Sequence, residues 1–116
     1  MKKLLEESGR GLMAVNKYCL RILPLFEDDL NGIVDYIVFK LNNPSAAQIL
    51  ADSVEEEIIK RLAFPESFEK YRSFKERKYP YYRIYVSHYV VYYVVIGDVM
   101  EVRRIIYNKK NIETEL

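Results

Sequence analysis

A chain of 116 residues, 50% hydrophobic and 30% charged, is long enough for one two-layer domain and too short for several. No apolar run reaches the length of a membrane span, the N-terminus lacks a signal-peptide core, and the single cysteine, Cys19, excludes an internal disulfide or a zinc-ligand set, so a cytoplasmic protein without metal or cofactor is expected. The net charge of +1 hides an asymmetry, because residues 1–57 carry six Lys/Arg against ten Asp/Glu and residues 58–116 carry twelve against seven; a basic half suggests an anionic partner.

Residues 1–17, MKKLLEESGRGLMAVNK, hold two glycines and no clear period. They read as an N-terminal extension, disordered or forming a short helix, with Met13 as an alternative start. The domain is expected over 18–112. Its first strand spans 18–24, with Leu20 and Ile22 on one face, Cys19 as a small buried hydrophobe, and Pro24 as the stop. From 26 to 41 the apolar residues Phe26, Leu30, Ile33, Val34, Ile37, Val38 and Leu41 recur at steps of three and four, the period of a helix. Glu27, Asp28 and Asp29 are read as its first turn, where the macrodipole favours negative charge. Asn42-Asn43-Pro44 breaks the pattern, and a second helix over 45–63, capped at Pro44 or Ser45, turns Ala46, Ala47, Leu50, Ala51, Val54, Ile58 and Leu62 inward, with Ile59 beside them. The two helices form an αα-hairpin.

The charged stretch 66–78 reads as a connecting loop. Beyond it the chain is dense in Tyr, Val and Ile, which suit a pleated, half-buried surface. Breaks at Ser87-His88 and Gly97-Asp98 divide it into strands 79–86, 89–96 and 99–107. The expected fold is therefore α+β in the order β-α-α-β-β-β: a twisted, antiparallel-rich four-stranded sheet with the helical hairpin on one face, and the first strand beside the last. Most of the eleven tyrosines are packing residues with a wet hydroxyl. Arg103 and Arg104, adjacent in a strand, are expected on opposite faces, one of them paired with a carboxylate such as Glu56 or Glu57. His88 falls in an exposed turn.

Three stretches, taken in order, resemble the RelE/ParE superfamily of toxins from type II toxin–antitoxin (plasmid stabilisation) systems. PLFEDDLNGIVDYI (24–37) is similar to the family's opening helix, NPSAAQILADSVEEEIIKRLAFPESF (43–68) to its second helix, and YYRIYVSHYVVYYVVIGDVMEVRRIIYNKKN (81–111) to its strands. Tyr107 stands where many members have histidine, and Lys109 and Lys110 where many have an arginine pair.

The resemblance implies a growth-inhibiting toxin, a cognate antitoxin partner whose disordered tail wraps it, and one of two targets. Ribonuclease members cut ribosome-bound mRNA by attack of a ribose 2′-hydroxyl on the adjacent phosphate, which needs a base, cations for the phosphorane charge and an acid. On that reading Arg83 stabilises the phosphate, Tyr107 donates the proton or stacks on a base, and Lys109 assists; Lys110 and Arg104 bind the polyanion. These residues are expected to converge where the first strand of the meander meets the end of the last. ParE-like members instead poison DNA gyrase, and loss of the histidine fits that class as well. A degenerate toxin that only binds its antitoxin is the third reading, and a homodimer or a toxin–antitoxin hetero-oligomer is compatible with any of them.

Overall fold

The computed structural model describes residues 18–70 and 78–108. Strand β1 (Cys19–Ile22) leads into helix α1 (Pro24–Asp35), which continues as a π-helical turn (Tyr36–Lys40); helix α2 (Pro44–Leu62) and strands β2 (Tyr82–Val86), β3 (Tyr89–Ile96) and β4 (Val99–Tyr107) follow. The order is the expected β-α-α-β-β-β. The sheet runs β1-β4-β3-β2. β1 lies parallel to β4, from Cys19 opposite Val99 to Ile22 opposite Val102, and the other pairings are antiparallel hairpins. The first strand thus sits beside the last, and the sheet is mixed.

Both helices cover one face. Phe26, Leu30 and Ile37 of the first helical arm and Ala47, Leu50, Val54, Ile58 and Leu62 of α2 pack with Tyr82, Ile84, Val86, Val91, Tyr93, Met100, Val102 and Ile105 of the sheet. Burying a side chain such as Ile58 or Leu62 contributes about 1.5–3 kcal/mol. The opposite face has its own smaller apolar cluster of Tyr81, Val90, Tyr92, Val94 and Ile106. Period-two alternation therefore sends Tyr82, Ile84 and Val86 towards the helices and Arg83 and Tyr85 away from them.

Several local expectations are corrected. β1 ends at Ile22 because Pro24 begins the helix instead of closing the strand; proline suits the first helical turn, where its missing N–H is not needed. The earlier start leaves only Glu27 in the first turn and moves Asp28 and Asp29 beyond it. Cys19 is exposed, since it points away from the helices at the sheet's margin. The last turn of the first arm widens to π geometry, so Leu41 N–H bonds to the Tyr36 carbonyl; Leu41 and Phe39 are left exposed. Asn42 takes a left-handed φ of 53°, a conformation asparagine tolerates. Asn43, rather than Pro44 or Ser45, caps α2, its Oδ1 accepting from the Ala46 N–H at 3.1 Å.

In β4, Tyr92 stands opposite Arg104 while Tyr93 stands opposite Val102, so Arg103 is an extra residue. This bulge shifts the alternation: Met100 and Val102 face the helices before it, and Ile105 does so after it. Arg103 thus pairs with Glu101 on the face away from the helices, while Arg104, beyond the bulge, reaches Asp29 of α1.

Candidate functional site

On the face away from the helices, Glu101 is buried and accepts from Arg21 at 2.9 Å and from Arg103 Nε at 2.7 Å. Burial pushes its carboxyl up, but the two guanidinium hydrogen bonds outweigh that and hold it below the usual carboxylate value. The Arg103 guanidinium lies 5.9 Å from the Tyr81 ring centroid, and that of Arg83 lies 5.7 Å from Tyr85. Arg21, Arg83 and Arg103 with the rings of Tyr81 and Tyr85 make this a cationic, aromatic surface.

A second constellation lies along β4 where β1 has ended. β1 accompanies β4 only as far as Val102, and β4 runs on to Tyr107. Asp29 of α1 fills part of the gap. Its carboxylate accepts from Arg104 Nε at 2.7 Å and Nη2 at 3.1 Å, and from the Ile105 backbone N–H at 3.1 Å. A bidentate arginine pair with a backbone donor fixes α1 against the strand edge. The carboxylate predicted for one of the two arginines is therefore Asp29 for Arg104 and Glu101 for Arg103. Glu56 and Glu57 pair with Lys60 instead.

Beside this clamp opens a cleft of 730 Å³, walled by Asp28, Gly32 and Tyr36 on α1 and its π-helical extension and by Tyr89, Arg104 and Tyr107 on the sheet. Tyr89 and Tyr107 meet edge to face at 5.8 Å. The Tyr89 hydroxyl is raised above its ordinary pKa, first by burial and then by Tyr107 and Tyr36, whose hydroxyls share its surroundings.

The third cluster surrounds Arg61, in the last turn of α2. Its Nη1 donates to the Arg83 carbonyl at 3.0 Å and the Tyr93 hydroxyl at 2.9 Å, while its guanidinium lies 3.5 Å over the Phe68 ring. Tyr93 in turn donates to the Pro65 carbonyl at 2.6 Å. Burial pushes the Tyr93 hydroxyl up to about 12, against the opposing pull of Arg61. This network ties the loop after α2 to the edge strand β2.

The predicted site residues do not all come together. Arg83 faces away from the helices, whereas Tyr107 lines the cleft on the helix side with Tyr36 and Ile33. Arg104 reaches the cleft with Tyr107. Lys109 and Lys110 lie outside the described residues, as does the N-terminal extension. His88 is in the exposed β2–β3 turn, as expected. Sequence reasoning missed the joint role of Asp29, Tyr36 and Tyr89. Nothing in their spacing signals it, because the parallel β1–β4 pairing and the bulge bring them together. Among the described residues no helix is long and apolar enough to cross a membrane, and no group of acidic, histidine or cysteine residues is arranged to hold a metal.

Comparison with curated proteins finds no match. A family profile does match, that of the ParE toxin of the type II toxin–antitoxin system parDE, over residues 20–112. The match begins in β1 and runs through both helices and all four strands, the elements that form the sheet, the hairpin and the cleft. With its fold and most of its length accounted for in this way, the chain belongs to the ParE toxin family of type II toxin–antitoxin systems.

Proposed function

We propose that the chain inhibits growth by acting on DNA gyrase, in the manner the ParE resemblance implies, rather than by cutting mRNA. The observation that supports this is the separation of Arg83 from Tyr107 by the thickness of the sheet. A phosphoryl-transfer centre needs its cation and its proton donor within reach of one phosphate, and these two side chains face opposite sides. A gyrase target also puts the toxin's action in the cytoplasm. The test is a supercoiling assay with purified gyrase beside a ribosome-bound mRNA cleavage assay. The expected result is loss of supercoiling with intact mRNA; cleaved mRNA with normal supercoiling would reverse the reading.

The cationic face supports the second reading, ribosome-dependent cleavage, because Arg83 and Arg103 stand beside the rings of Tyr85 and Tyr81, a pairing of cation and aromatic surface that suits single-stranded RNA. The two readings part at one variant. On the gyrase reading a folded Arg83→Ala, Lys109→Ala, Lys110→Ala triple variant keeps its toxicity. On the RNA reading Arg83→Ala alone abolishes toxicity at unchanged melting temperature, and each lysine change weakens it in a salt-dependent way.

A further inference from the structure

Gly32 sits in the interior of α1, where glycine is about 1 kcal/mol worse than alanine. Nothing within the described chain calls for it. Its φ is not left-handed, and a Cβ built on it meets no atom within 4 Å. The missing side chain instead opens the wall of the cleft between α1 and β4. A small residue that serves neither backbone nor packing is suited to the close approach of another chain.

The rest of the cleft says what kind of chain. The Ile105 N–H points to the side that β1 has left and is taken by Asp29. By the alternation of a strand, the Ile105 carbonyl and the Tyr107 N–H and carbonyl face the same side, and no strand of the described residues pairs with them there. Those groups can receive an added strand. At the mouth, Asp28 makes no ion pair or hydrogen bond among the described residues, and the Tyr36 and Tyr107 rings are 54% and 53% exposed. A carboxylate beside tyrosine rings receives a cation through charge and the ring faces. Among the described residues that line it, Asp28 and Asp29 are set against Arg104, which disfavours an acidic segment there.

We propose that this cleft seats an extended segment of the cognate antitoxin carrying an arginine or lysine, its backbone passing over Gly32 along β4 and its cation held between Asp28 and the tyrosine rings. The proposal rests on the toxin–antitoxin membership and not on the gyrase reading.

The test titrates the full-length chain with the product of the adjacent open reading frame and follows the dissociation constant by calorimetry. Gly32→Gln should weaken binding at least tenfold while the melting temperature of the free chain stays level or rises, since glutamine is the better helix former. Asp28→Asn should weaken it several-fold at low salt, with the difference shrinking as salt rises. Asp28→Lys should be rescued by reversing the charge of one basic antitoxin residue. Unchanged affinity for Gly32→Gln would overturn the proposal. So would a fall in the melting temperature of free Gly32→Gln, which would put a segment of the same chain in the cleft, or the splitting of a free-chain dimer by that variant, which would put a second copy there. The readout uses neither gyrase nor ribosomes, so failure here and failure of the gyrase reading are separable.

Discussion

Glu101 holds two arginines from separate strands, and its surroundings fix the sign of a pH effect. Its folded pKa lies below the ordinary value of 4.5. A depressed carboxylate stabilises fully above its unfolded pKa and loses that contribution as pH falls through the folded value. Glu101→Gln should therefore lower unfolding free energy by about 2 kcal/mol at neutral pH, the scale of a hydrogen bond to a charged group. The deficit should shrink below about pH 4.5, as read by urea titration at several pH values. Tyr93→Phe leaves the Pro65 carbonyl and one Arg61 donor position without their partner in a buried setting. A loss of about 1–3 kcal/mol is expected, with the loop after α2 becoming more accessible to protease. The core tyrosines and the exposed turn histidine were legible from alternation and turn residues alone. The partners of Arg103 and Arg104 were not, because a one-residue bulge is invisible in a run of strand-forming residues and resets every side chain after it.

The helices and strands were the most legible level. The three-four spacing of α2 marked its buried face, since Ala47, Leu50, Val54, Ile58 and Leu62 are the residues that pack. The ends were less so: Pro24 opens α1 instead of closing β1, and the π turn leaves no mark in the three-four spacing. Two elements offer clean tests. Ser87 opens the β2–β3 turn with a φ of 54°, a conformation that costs a non-glycine residue roughly 1–2 kcal/mol. Ser87→Gly should recover part of that and raise the melting temperature by a few degrees. Gly97, at 61° in the β3–β4 turn, should behave in the opposite sense. Gly97→Ala has open space for its Cβ, so any loss of stability it causes reports backbone strain alone. Thermal melts of the two variants side by side separate conformation from packing.

At the scale of the whole molecule, family membership carries the biological expectation. Expression of the folded chain should slow bacterial growth, and co-expression of the adjacent open reading frame should relieve it; normal growth at high levels of folded protein would point to a toxin that has lost its target. The two-layer arrangement was legible because the hairpin and the meander each leave one apolar face to cover. The candidate site was legible only in part: the cations and tyrosines stood out, but the side of the sheet each would occupy depends on register, which residue type does not encode.

The parallel pairing of β1 with β4 has a consequence for the newborn chain. Arg21 and Glu101, joined across these strands, are 80 residues apart in sequence. At about 5–20 residues per second, synthesis puts roughly 4–16 s between the two. During that interval Leu20 and Ile22 have no strand to lie against. The fold cannot close until the final strand has left the ribosome, so a translation product stopped before Val99 should stay open and harmless. A toxin whose first strand waits for β4 is armed only once β4 itself has been made.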